Sequence, residues 1–250
     1  MSRADRLDAT ARYFCRVRGE VSVPWLEADA ATILDAYPVR VPDSRSGQSN
    51  YSGLFWSATI DAHLVYESLL ELDRLWLADF DPDITTITSQ PLWIEGMVSG
   101  KVRRHAPDFL LKSTQRGHVL VDVKPAKAAA RPEIREVFDW TGALCARKGW
   151  AYEVWTGADV FLLRNVRFLG SARRAELISQ SAVVALLDRF TPGTTINALI
   201  KETARTHDEE QVRSALLHLM WKQLLSTDLR RPLSGETVLD VGVGANYVEH

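Results

Sequence analysis

The stretch "HAPDFLLKSTQRGHVLVDVKPAK", His105–Lys127, sets an acid, Asp108, at the mouth of one apolar run. It sets a second acid, Asp122, and a lysine, Lys124, inside the next. Both runs have the apolar texture of strands, and "STQRG" between them reads as a hairpin turn. In "VLVDVK", Val119, Val121 and Val123 share one face, while Leu120, Asp122 and Lys124 share the other. Residues two apart on a face are separated by about 7 Å, so Asp122 and Lys124 are neighbours. A hairpin centred near Gln115 pairs positions whose numbers sum to about 230. Asp108 then stands opposite Asp122, on the same face.

Two carboxylates facing each other across a ladder repel, and partial burial strengthens the repulsion. One lysine offsets part of it, and a divalent cation offsets more. Mg²⁺ suits this arrangement because it binds through one or two carboxylates, waters and a phosphate oxygen. Such a metal stabilises a scissile phosphate and generates hydroxide, with Lys124 orienting the nucleophile or neutralising charge. This is the chemistry of phosphodiester hydrolysis. A third acid is expected from the segment His63–Phe80, which reads as a helix. Val65, Leu69, Leu72 and Trp76 define its apolar stripe, leaving a polar strip of about 60° with Glu67, Glu71, Arg74 and Ala78. Glu67 and Glu71 are one turn apart, and the helical wheel does not choose between them.

Around this centre the chain reads as α/β. The first forty residues look helical, with a second short helix near Leu26–Ala36, and "PDSRSGQSNYSG", Pro42–Gly53, is a loop by its composition. "LFWSATI" and "ITTITSQPLWIEG" read as strands, and "VRRHAPDFLLK" leads into the hairpin. A helix over Pro132–Lys148 is followed by the strand "AYEVWTG" and a helix near Val160–Phe168. Beyond Gly170 helical periodicity dominates, and three helices followed by a polar strand pair give the outline of a winged helix-turn-helix. The expected division is therefore 1–170 for the α/β domain and 171–250 for a small helical one. "VLDVGVGAN", Val238–Asn246, imitates a nucleotide-binding glycine motif, but such a motif must open a βαβ unit, and the expectation here is a terminal strand and tail.

The net charge of −2 provides no general attraction for nucleic acid, so contacts must come from local patches. The candidates are Arg103 and Arg104, in "VRRH" before Asp108, and Lys127 just past the strand. His105 is not needed as a general base where a metal supplies the nucleophile. Trp140, Trp150 and Trp155 are expected in the core. Two cysteines without zinc-site or paired spacing suit a reducing, cytoplasmic setting. The N-terminal "MSRADRLDATARYF" lacks an apolar signal core, and no run is long enough to span a membrane.

"PDFLLK" and "VDVKPA" together resemble the PD-(D/E)xK nuclease core. The wider run from "SLLELDRLWLADFDPDITTITSQPL" through "HAPDFLLK" to "VLVDVKPAKA" resembles the TnsA-like endonuclease subunit of heteromeric transposases. The resemblance covers roughly Trp56–Thr156, and more loosely the helical C-terminal part. It implies a restriction-endonuclease-like mixed sheet flanked by helices. The family's Ser-x-x-Glu element matches Ser68–Glu71, with "SQP", Ser89–Pro91, at the expected distance. Carried over, the site is Glu71, Asp108, Asp122 and Lys124, with Glu67 second to Glu71 as metal ligand. Some members carry Gln where this chain has Asp122. The resemblance further implies Mg²⁺, with Mn²⁺ able to substitute, and hydrolysis at the 5′ ends of a mobile element in double-stranded DNA. It also implies a DDE-type transposase partner and an AAA+ regulator, with no membrane. The alternatives are a stand-alone restriction or repair nuclease and an inert DNA-binding or assembly module on the same fold.

Overall fold

The computed structural model describes residues 8–40 and 51–244. The extreme N-terminus, most of the expected Pro42–Gly53 loop and the tail after Gly244 lie outside it. The chain forms two compact units. One runs to Asp79 and resumes over Asp83–Gly157; the other takes Phe80–Pro82 and the chain from Ala158 onward.

The first unit opens with a hairpin where helix was expected. Strand β1, Ala9–Cys15, pairs antiparallel with β2, Gly19–Pro24. Its period is two: Ala11, Tyr13 and Cys15 are buried, and Thr10, Arg12 and Phe14 between them are not. Gly19, at φ +72°, occupies the left-handed conformation that the turn requires. Helix α1, Ala30–Leu34, falls within the expected short helix, and Asp29 caps it by accepting from the Thr32 N–H at 2.8 Å.

The segment expected to be one helix from His63 is divided. Strands β3, Gly53–Ser57, and β4, Ala62–Tyr66, form a second hairpin, and helix α2 spans only Leu69–Phe80. Glu67 therefore lies in the connection, ahead of the helix. The polar strip of α2 also faces inward: Glu71, Arg74, Ala78 and Asp79 are buried while Leu69 is half exposed. Arg74 explains how a polar strip is buried, since it donates through Nε and Nη2 to the two oxygens of Glu153, at 2.9 and 3.3 Å. Asp79 likewise accepts from the Ser57 hydroxyl at 2.6 Å and from the Ala58 and Thr59 N–H groups.

The remaining elements of this unit are β5, Ile84–Ser89; β6, Trp93–Val98; β7, Lys101–His105; β8, Phe109–Ser113; and β9, Gly117–Val123. Helices α3, Ala126–Ala129, and α4, Pro132–Lys148, follow, then β10, Ala151–Trp155. The α4 boundaries match the sequence reading because both ends are marked, by Pro132 in the first turn and by Gly149 at φ +73° after the last. One sheet has the order β2-β1-β6-β7 and is antiparallel. The other, β10-β9-β8-β5, is mixed, with β10 parallel to β9. Together they form the expected α/β architecture of mixed sheet and helices.

The β8–β9 register is the expected one: Phe109 pairs with Val121, Leu111 with Val119 and Ser113 with Gly117. Asp83 fastens the turn, its carboxylate accepting from the Ser113 and Thr114 hydroxyls and from the Gln115 N–H. The mixed sheet separates two apolar layers. Val119, Val121 and Val123 pack with Phe109 and with Leu75 and Ala78 of α2. Leu110 and Leu120 pack on the other face with Trp140, Leu144 and Cys145 of α4. Trp140 and Trp150 are core residues, Trp155 is partly buried, and both cysteines are free and buried.

In the second unit, helix α5, Val160–Leu169, packs with the C-terminal elements, ahead of the joint expected near Gly170. Helices α6, Gln180–Arg189; α7, Ile196–Thr203; and α8, Glu209–Trp221, follow, each capped by a side chain: Ser179, Thr195 and Asp208. A short antiparallel pair, β11, Leu225–Ser226, and β12, Asp240–Val241, comes after them. The described part of the glycine-rich run thus meets an antiparallel partner. Among the described residues no helix is long and apolar enough to cross a membrane.

Candidate active site

Asp108 sits one residue before β8, just beyond its last ladder pair, Phe109 with Val121, and its backbone meets Val121 rather than Asp122. Its backbone is held on both sides: its N–H donates to Val121 O at 3.0 Å and its carbonyl accepts from Gln90 N–H at 2.7 Å. The side chain completes the ladder, with Oδ2 accepting from the Val123 N–H at 2.7 Å. Burial, then the charges of Glu71 and Asp122, push the Asp108 carboxyl up to about 8. The three acids therefore share one electrostatic environment, with Asp108 as the member that feels both others.

Asp122 lies on the α4 side of the sheet with Leu120 and is 3% exposed. Its Oδ2 is 2.9 Å from His105 Nε2 and also accepts from the Tyr152 hydroxyl. A carboxylate can only accept, so the ring nitrogen carries the proton. Burial and then Asp122 raise the Tyr152 phenol, which keeps it a donor.

Glu71 is at the start of α2. Ser68 caps α2 by its side chain: Oγ accepts from Glu71 N–H at 3.1 Å and donates to Glu71 Oε1 at 2.9 Å. Oε2 accepts from the Glu67 N–H at 2.8 Å. Burial raises the Glu71 pKa despite these bonds. The Ser-x-x-Glu element thus has a helix-starting role of its own. Glu67 pairs with Arg40 at 3.4 Å, and Arg40 in turn donates to Gln90 Oε1 at 3.2 Å.

Lys124 follows the last ladder residue; its N–H donates to Trp155 O at 3.0 Å and its side chain is exposed. It forms no ion pair with Asp108 or Asp122. Arg103 and Arg104 are separated by the strand's alternation. Arg104 is held by Glu95 at 3.0 Å and lies 3.9 Å above the Trp93 ring. Arg103 shares the His105 face of β7, with a buried Nε that has no hydrogen-bond partner. Lys127 is exposed on α3.

Among the described residues no three His, Cys, Asp or Glu side chains form a ready metal cage. A hard cation held by two carboxylates and a substrate phosphate needs no such cage. Asp108, partly buried, and Asp122, buried, fit that description: among the described residues neither pairs with a lysine or arginine, and each has only one oxygen engaged. Glu71 as found has both oxygens engaged.

Three site neighbours were not legible as such in the sequence. Tyr152 lies on a strand 30 residues from Asp122, His105 carries no role in the sequence pattern, and Gln90 stands there only as part of "SQP". It adopts φ +46° and is 1% exposed, with an unpartnered Nε2.

Residues 81–157 match the family model described as TnsA-like endonuclease N terminal. The match spans Asp108, Asp122, Lys124 and Tyr152 and begins after Glu71 and the rest of α2. A search of curated proteins finds no match. Over residues 81–157, the part that holds Asp108 and Asp122, this chain is similar to the TnsA-like endonucleases.

Proposed function

We propose that the protein is a Mg²⁺-dependent DNA endonuclease subunit of a TnsA-like heteromeric transposase, hydrolysing phosphodiester bonds at the 5′ ends of a mobile element. The observation that carries this reading is the match of residues 81–157, which hold Asp108, Asp122 and Lys124, to the TnsA-like endonuclease model. A partly buried and a buried acid gathered at one end of a hairpin call for a cation. Asp108 and Asp122 would hold Mg²⁺, or Mn²⁺ in its place, with Glu71 joining if it leaves its cap. The ion supplies Lewis-acid stabilisation of phosphate charge and an activated water. Lys124, exposed at the strand end, positions that water or neutralises the phosphate. Arg103 and Lys127 contact the DNA backbone, and Arg104 does so only on leaving Glu95.

The three helices α6–α8 followed by a short antiparallel pair support a winged-helix reading of the C-terminal unit. Its last helix, α8, opens on Asp208, Glu209 and Glu210, which disfavours insertion into a groove lined by phosphates. We therefore read this unit as serving assembly with a DDE-type transposase and an AAA+ regulator. One observation favours an inert module instead, namely the full engagement of Glu71.

Calorimetric titration with Mn²⁺, paired with nicking of supercoiled DNA, tests the reading. Binding that disappears in Asp108→Ala, with nicking that requires the metal, is expected. Absence of Mn²⁺ binding by the wild type would favour the inert module. Efficient cleavage of plain DNA without partners would favour a stand-alone restriction or repair nuclease.

A further inference from the structure

We propose that His105 and Tyr152 are positioning residues that clamp Asp122 by one oxygen and thereby aim the other at the metal. This rests on the metal-dependent reading above. A buried carboxylate needs hydrogen-bond donors, but here both donors converge on Oδ2, and Oδ1 takes none from a described residue. They arrive from different elements. His105 ends β7 in the antiparallel sheet, whereas Tyr152 stands in β10, level with Leu120 on the face that Asp122 shares. A carboxyl held from two directions cannot rotate about its Cβ–Cγ bond without breaking a bond.

The clamp is itself supported. Phe138 of α4 packs edge-on against the His105 ring, with centroids 6.4 Å apart, and lies 6.5 Å from the Tyr152 ring. The Tyr152 ring also rests on Gly142 of α4, where a Cβ would approach within 3.1 Å. Orientation of a ligating carboxylate by such outer partners commonly changes metal affinity by about 10–100-fold.

The test is calorimetric titration of the full chain with Mn²⁺, with thermal melting as a check on folding. Tyr152→Phe keeps the ring and removes only the donor, and its Kd for Mn²⁺ should rise about tenfold. His105→Leu should behave alike, and His105→Gln, which keeps a donor, should restore part of the affinity. In an Asp122→Asn background, Tyr152→Phe should have no further effect, because the clamp acts through Asp122. Wild-type affinity in both Tyr152→Phe and His105→Leu would overturn the clamp alone, as would a full additional loss in the Asp122→Asn background. Absence of Mn²⁺ binding by the wild type would overturn the metal-dependent reading and the clamp with it. If Tyr152→Phe does not fold, the His105 pair of variants decides.

Discussion

Asp108 Oδ2 accepts the Val123 N–H at 2.7 Å, so one side chain serves both the ladder and the acid cluster. Asp108→Ala strands a buried donor and should cost about 1–3 kcal/mol. Asp108→Asn keeps an acceptor and should cost less. Both should lose Mn²⁺ binding and nicking. Urea denaturation with plasmid nicking separates the two roles, and wild-type nicking by Asp108→Asn would remove Asp108 from the chemistry.

Stability should depend on pH through the same residue. Its carboxyl is pushed up to about 8 in the fold and titrates near ~3.9 in an unfolded chain. Between those values the folded protein holds a proton that the unfolded chain has released. Metal-free stability should therefore fall as pH rises from about 4 to about 8. Asp108→Asn should flatten the melting-temperature profile, and saturating Mn²⁺ should do the same. A flat wild-type profile without metal would show that Asp108 titrates normally.

Glu71 can be tested as cap and as ligand separately. Glu71→Ala removes the acceptor for Ser68 and Glu67 and should cost about 0.5–2 kcal/mol. Glu71→Gln retains an acceptor and should fold nearly as well. Loss of nicking in well-folded Glu71→Gln identifies a ligand, whereas full nicking identifies a cap only.

Lys124 is exposed and makes no ion pair with the acids, so Lys124→Ala should leave stability within about 0.5 kcal/mol. Nicking should be abolished. Retained nicking would exclude the role assigned to this lysine.

Arg74 and Glu153 join α2 to β10 through two charge-assisted bonds. Arg74→Ala leaves Glu153 without its main partner and should cost about 3 kcal/mol, at the low end for a buried pair because Glu153 is partly exposed. The double variant with Glu153→Gln should recover part of that loss in denaturant titrations. Simple additivity would mean that the pair contributes nothing as a pair.

The acid hairpin was legible because its register follows from local alternation and a turn centred on Gln115. Helix α4 was legible because Pro132 and Gly149 mark its ends. The N-terminal hairpin was missed although the buried Ala11, Tyr13 and Cys15 alternate with the less buried Thr10, Arg12 and Phe14, a period-two signal within a segment read as helical. The His63 segment failed for another reason. Ser68 starts the helix through a local hydrogen bond, and His63–Tyr66 finds its partner in β3. The inward polar strip of α2 was illegible because Glu153, the partner of Arg74, is 79 residues away. The Asp122 donors were hidden in the same way, since His105 and Tyr152 meet only in the folded chain.

Asp83 gathers the Ser113 and Thr114 hydroxyls and the Gln115 N–H at the tip of the hairpin. A slip of one residue would exchange the two faces of β9. Asp122 would then project into the aliphatic layer beneath α2, and a valine would take its place against His105 and Tyr152. Misfolding of this turn would therefore be a chemical error as well as a topological one. An aspartate at the tip of the hairpin thus decides which side chain reaches the acid cluster.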